Sequence, residues 1–271
     1  MERNEPLDCN GSENGMSEWT ALAIAMTAAC AVVVAVVVLR ERRIGDSADT
    51  SETPDVIEYM TMMIGVVYAI VLGLAIAGVW EARSAAGDTV QHEAQALREV
   101  SLRAQVYPAE LRDRIRADVD AYVRYVVGTE WMYMDTHDGV SPQGTVLLDR
   151  LRQDVTGHTP QNELENQAYQ PLIDQVAAVD QARTARGQDA GPTMPGVVWF
   201  GLIAGAVVTV GLVFTFQIRR SWRELLLAGA FSALIAFLLF LIWDFDDPFS
   251  RGMTVSAQPF LDLFPAAVHH G

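Results

Sequence analysis

Three carboxylates, Asp244, Asp246 and Asp247, stand together in "LIWDFDDPFSRG", directly behind a long apolar run. Carboxylate oxygens suit hard cations, and such a cluster could offer three of them to Ca2+. The ligand spacing of a calcium-binding helix–loop–helix is absent, and acids near a helix C-terminus ordinarily need solvent. The stretch is therefore read first as a polar stop, a hydrated collar where a helix leaves a membrane. A packing or gating corner and a metal site at Asp244, Asp246 and Asp247 are the other readings. Remaining candidates for chemistry are scattered. His92, His137, His158, His269 and His270 make no HExxH or similar ligand spacing. There is no phosphate-binding glycine loop, nucleophile elbow or triad order. Cys9 lies in a polar tail and Cys30 in an apolar run, so both are read as free thiols. Glu93 reads as a solvated or interhelical carboxylate. These residues point to no enzyme and, Ca2+ aside, to no cofactor.

The elements that carry these residues are set by four apolar runs, Trp19–Leu39, Met60–Trp80, Val197–Phe216 and Leu225–Trp243. None holds a charged residue, and each approaches the ~20 residues a helix needs to cross a bilayer core. Lipid cannot satisfy backbone polar groups, so the runs are helices and the chain is a four-span, all-α membrane protein. The first run follows an acidic tail and is too long for a signal-peptide core. Proton relays and voltage sensors need ionisable groups at membrane depth, so a pump or proton-coupled carrier is not indicated. A channel with an apolar constriction fits, because dewetting gates need only apolar side chains.

Net charge is −15, and all 19 basic residues are arginine. An acidic surface repels phosphates and argues against nucleic acid. The lysine-free, Ala/Val/Asp-rich composition suggests a bacterial source. Residues 1–18 form a polar acidic tail, 19–80 hold spans one and two, 81–196 a helical soluble domain, 197–243 spans three and four, and 244–271 a C-terminal tail. Within the soluble domain, Ala82, Ala86, Val90, Leu97 and Val100 continue span two as one helix to about Gln105. Pro108 suits the first turn of the next helix, where Leu111, Ile115, Val119, Tyr122 and Val126 share a face. "THDGVSPQG" reads as a loop, and 144–155 as a short helix. Thr159 and Pro160 read as the N-cap and first residue of a further helix carrying Leu172, Val176 and Val179 inward. "ARGQDAGPTMPG" reads as a linker back to the membrane.

Small residues form ridges along the spans. Gly65, Ala69, Gly73 and Ala77 recur every four residues on span two, Gly201 and Gly205 make a GxxxG on span three, and Gly229 and Ala233 repeat the spacing on span four. Such ridges let helices approach closely in lipid, as pore-lining or helix-interface surfaces. Packing within the subunit is the first reading, and assembly between subunits the second.

Several of these residues, in order, resemble the bestrophin-like family of bacterial and plant membrane proteins. The likeness rests on "EAQAL" (Glu93 to Leu97), Tyr107-Pro108, Tyr122, Glu130-Trp131, Pro195 and Trp199. Asp246, Pro248 and Phe249 complete it, followed by "TVSAQPF". One departure is Arg251, which intervenes before Gly252 where the family places glycine. The resemblance implies four spans with a helical domain inserted between the second and third, and a homo-oligomeric ring, as in a pentamer, around an anion-conducting pore. It also implies that acids behind the fourth span can bind Ca2+. The rival is a non-conducting sensor or scaffold whose helical domain binds a partner.

The protein is expected in the bacterial cytoplasmic membrane. Arg40, Arg42 and Arg43, then Arg219, Arg220 and Arg223, lie in the two short loops, which the positive-inside rule places in the cytoplasm. The helical domain would then lie outside, the orientation adopted here, whereas the resemblance implies inside. Pro248 and Phe249 are expected to fold back as a turn that buries the ring, with Phe260 and Phe264 also needing cover.

Overall fold

A computed structural model of the chain describes residues 55–216, 222–250 and 254–268. The acidic tail, the first apolar run, both cysteines, His269, His270, Arg219, Arg220, Arg251 and Gly252 lie outside the described residues. Every regular element described is helical, with no strand among the described residues.

Helix α1 runs from Asp55 to Arg103, 49 residues without a break, and closes in a 3-10 turn at Ala104–Val106. It continues past Trp80 because the apolar stripe resumes at helical spacing, and it ends before Pro108. Helix α2, Ala109–Tyr125, passes through a π-helical turn at Val126–Glu130 into α3, Trp131–His137. Asp138 stops α3 in the left-handed region (φ 48°), which aspartate tolerates better than most residues. Helices α4, Pro142–Thr156, and α5, Glu163–Gln188, complete the inserted segment. Helices α6, Gly196–Phe216, and α7, Trp222–Phe245, follow, and then the short α8, Gln258–Leu263, and α9, Pro265–Val268.

Among the described residues three helices, α1, α6 and α7, are long and apolar enough to cross a membrane. The described residues divide into two compact units, one of 55–72 with 200–241, the other of 73–199 with those from Ile242 to Val268. In the first unit, Tyr68 donates from its hydroxyl to the carbonyl of Leu202 at 2.9 Å, satisfying a polar group that lipid could not. Its ring lies where a Cβ on Gly205 would fall, 2.6 Å from Cε2, so this glycine is needed for close approach.

The second unit is a helical core. Ala86, Val90, Leu97 and Val100 of α1 meet Ile115, Val119 and Tyr122 of α2, Leu148 and Leu151 of α4, and Leu172, Val176 and Val179 of α5. Phe249, Phe260 and Phe264 belong to the same core, so the C-terminal segment is part of this unit.

Three local expectations are corrected. The loop over 136–144 shrinks to four residues, because α3 runs to His137 and Ser141 caps α4 by accepting from the Gly144 amide. Helix α5 starts at Glu163 instead of Pro160. Asn162 is its cap, accepting the Glu165 amide at 2.9 Å, while Glu165 accepts the Gln161 amide at 2.8 Å. The linker also starts later, since α5 continues through Arg186 to Gln188.

Candidate functional site

The apolar stripe of α1 steps through Ala86, Val90, Leu97 and Val100 at intervals of four and three, and one position on it, Glu93, is a carboxylate. The stripe of α5 steps through Leu172, Val176 and Val179 and continues in register to Arg183 and Arg186. Charges on core-facing positions must find one another, because an unpaired buried charge is far too costly. Glu93, Glu130 and Arg186 are fully buried and Arg183 is 3% exposed.

Their partners form one network. Arg186 donates through Nε to Glu93 Oε2 at 2.7 Å and through Nη2 to Glu93 Oε1 and Glu130 Oε2, both at 3.1 Å. Its Nη1 reaches Met134 Sδ at 2.8 Å. Arg183 binds both oxygens of Glu130 and donates to the Ser141 carbonyl at 2.7 Å. Tyr122 donates to Glu93 Oε1 and accepts from Arg183 at 3.3 Å. The Ser141 amide and hydroxyl donate to Glu130 Oε1 at 2.8 and 3.0 Å. The π turn helps to aim Glu130 inward: Trp131 N–H bonds back to the Val126 carbonyl, five residues earlier. Gly144 is required beside the fork, since a Cβ there would collide with the Arg183 guanidinium.

Two carboxylates and two guanidiniums balance. Burial opposes the charge on Glu130, but the Arg183 hydrogen bonds and the charges of Arg186 and Arg183 outweigh it and hold its carboxyl below the usual range. Burial likewise opposes the charge on Arg186, but Glu93 beside it holds the guanidinium above its usual value. Burial, then the Glu93 charge, pushes the Tyr122 hydroxyl well up. These donors and acceptors are spent on one another, so the cluster works as a brace joining α1, α2, α4 and α5. Glu93 is thus interhelical, and the solvated reading is set aside.

Trp131 carries the brace to the C-terminal turn. Arg186 Cζ lies 5.4 Å from its ring centre, and the ring meets Phe249 edge-on at 5.8 Å and Phe260 at 6.2 Å. Its Nε1 donates to the Val255 carbonyl at 3.2 Å. Pro248 closes the turn by accepting the Val255 amide at 2.7 Å. Asp246 accepts from the Met194 amide at 2.7 Å and from Trp199 Nε1 at 3.1 Å, and its carbonyl accepts the Thr193 amide at 2.9 Å. Asp247 accepts the Ser250 amide at 3.2 Å.

The hydrated-collar reading of this turn is therefore corrected. Asp244, Asp246 and Asp247 are 5%, 2% and 4% exposed. The segment returning from α5 to α6 crosses the end of α7 and needs acceptors there, which Asp246 supplies. Among the described residues no three His, Cys, Asp or Glu side chains gather as a metal site.

Glu93, Tyr122, Glu130, Trp131, Asp246, Pro248 and Phe249 thus fall into one connected array. Sequence reasoning missed Arg183, Arg186, Ser141 and Met134. The signal for the arginines is two charges in register with an apolar stripe, which the glycines and prolines of the following stretch obscure at Arg186.

The small-residue ridges behave differently. Ala69, Gly73 and Ala77 are exposed, and a Cβ at Gly65, Gly73, Gly201 or Gly229 would meet nothing within 4 Å among the described residues. Packing within the subunit, expected first, accounts for Gly205 against Tyr68, and the described residues supply no such neighbour for the others. Cavities lie in both units. One of about 540 Å³ lies between Trp80–Gln91 of α1 and Val255–Asp262, and one of about 360 Å³ lies in the first unit beside Gly65 and Thr209.

Comparison with known proteins gives a consistent result. The sequence profile of the bestrophin-like domain matches residues 27–260. A crystal structure of a bacterial bestrophin homolog from Klebsiella pneumoniae superposes with a TM-score of 0.60 at 12% identity, covering 90% of this chain and 97% of that one. A point variant of that homolog reaches a TM-score of 0.65 at 11% identity, with 92% and 98% covered. No curated protein sequence matches the chain.

Proposed function

The chain belongs to the bestrophin-like family, and from that premise we propose that it is an oligomeric ion channel that conducts anions, with α1 lining the pore. The observation that carries this reading is the ridge Gly65, Ala69, Gly73, Ala77, whose two glycines have no neighbour within 4 Å of an added Cβ among the described residues, on a helix free of charge from Met60 to Trp80. Small residues at lipid depth earn their place by letting a neighbouring helix approach. A ring of copies, five by likeness to bestrophins, supplies that neighbour. The same helix enters the buried brace, which holds its extramembrane half at a fixed rotation. Four spans are proposed, Trp19–Leu39 being the first. The membrane is the bacterial cytoplasmic membrane, with the helical unit on its outer side by the arginines of the short loops.

Native mass measurement in detergent tests the assembly, because a single subunit is too small to enclose such a pore. A monomer overturns the channel reading. Assembled protein should release chloride from loaded liposomes, and assembled protein that passes no ion supports the scaffold reading. Orientation is read by impermeant maleimide on intact cells, after both native cysteines are replaced by serine. Ser141 is unsuitable as the reporter because it is buried and caps α4, whereas Met132 is 74% exposed. Labelling of Met132→Cys only after lysis reverses the orientation.

A further inference from the structure

The 540 Å³ cavity opens where the apolar run of α1 ends. Trp80 is its first lining residue, 56% exposed, and Arg83 its first charge. Tryptophan at the end of a span sits at headgroup level, so the mouth of the cavity faces lipid headgroups and the rest extends outward along α1.

Its chemistry is divided along that axis. At the membrane end, the Arg83 guanidinium lies 5.5 Å from the centre of the Phe245 ring, and its Nη1 is enclosed with no hydrogen-bond partner among the described residues. Asp244 stands within electrostatic reach and offsets part of the charge. Farther out are two exposed carboxylates, Asp88 and Asp262, the latter holding Gln258 Nε2 at 2.8 Å. Arg83 and Asp88 are five residues apart, about 7.5 Å along the helix. The Trp80 ring, set edge-on to Phe245 at 5.5 Å, walls the membrane end.

A simple anion would gain Arg83 but face two carboxylates, and a simple cation would gain the carboxylates but face Arg83. A molecule carrying both charges a few atoms apart satisfies both ends. We propose that this cavity binds a zwitterion, its anionic oxygens on Arg83 and its ammonium toward Asp88 and Asp262. The ethanolamine-phosphate headgroup of a membrane lipid and a free amino-alkyl phosphate share this chemistry.

The test needs no conduction, so it stands apart from the channel reading. Purified protein is placed in nanodiscs of phosphatidylethanolamine mixed equally with phosphatidylglycerol, and lipid retained after delipidation is weighed by native mass spectrometry. Wild type should keep ethanolamine lipid at least tenfold over glycerol lipid. Arg83→Gln should lose that retention and Arg83→Lys keep most of it, while Asp88→Asn with Asp262→Asn should move the preference toward glycerol lipid. An unchanged oligomer mass in every variant shows that folding is intact. Soluble phosphoethanolamine added to protein in detergent separates the sources. A saturable rise in melting temperature, lost in Arg83→Gln, assigns the site to the free molecule, and retention of lipid without such a rise assigns it to the bilayer. Equal retention of both lipids by wild type, without that rise, or retention unaffected by Arg83→Gln, overturns the proposal.

Discussion

Removing Arg186 is the most informative perturbation of the brace. Its guanidinium is fully buried and supplies two hydrogen bonds to Glu93 and one to Glu130. In Arg186→Met, Glu130 keeps Arg183, but Glu93 keeps only the Tyr122 hydroxyl. A carboxylate then sits in the core without a counter-charge, a change that costs about 3–5 kcal/mol. At ~2–4 °C per kcal/mol for a domain of 150–250 residues, the melting temperature should drop by roughly 10 °C. The companion variant is Glu93→Leu with Arg186→Met, which removes both members and fills the space with apolar side chains. Such replacements are often neutral or stabilising, so the double variant should recover most of the loss. A double-mutant cycle then returns a coupling of about 2 kcal/mol or more. If Arg186→Met melts within 2 °C of wild type, or if the double variant loses the sum of both singles, charge pairing is not what the site supplies.

Phe249→Ala should cost about 3–5 kcal/mol, because a 3%-exposed ring leaves a cavity against Trp131, and limited proteolysis should then cut the tail first. Gly73→Leu should lower the oligomer fraction in native mass measurement, since leucine holds a neighbouring helix away from the ridge, and an unchanged fraction would put that face against lipid. Burial, and after it the hydrogen bond with Asp154, pushes the Asp118 carboxyl up to about 6. A raised carboxyl favours the protonated form in the fold, so its contribution is fullest below pH ~4 and declines as pH rises to ~6. Asp118→Asn should remove that decline and melt higher than wild type at pH 7, by roughly 1–3 kcal/mol in stability. Ca2+ and chelator should give the same melting temperature in wild type and in Asp244→Asn with Asp246→Asn, and a Ca2+-dependent rise confined to wild type would make the turn a cation site.

The membrane helices and the core-facing stripes were legible in the sequence because each rests on a local rule. A charge-free run of about 20 residues has few alternatives to a helix in lipid. The stripes of α1, α2 and α5 repeat at helical spacing, so Ile115, Val119, Leu172, Val176 and Val179 were identified as core from period alone. Motif likeness also found Glu93, Tyr122, Glu130, Trp131, Asp246, Pro248 and Phe249, but it could not say what each touches. That depends on pairing between distant helices. Glu93 and Arg186 are separated by 93 residues, and nothing local marks them as partners. The same reason hid the burial of Asp246, whose donors come from Met194 and Trp199, across the chain's return to the membrane. Local propensity misled where it competed with packing: glycine and proline made residues 185–196 read as linker, yet Arg186 stays helical because its guanidinium is held by Glu93 and Glu130. Period and hydropathy set which residues face inward. Only the tertiary structure decided which inward charges meet, since a buried charge is stabilised by partners that its own segment does not contain.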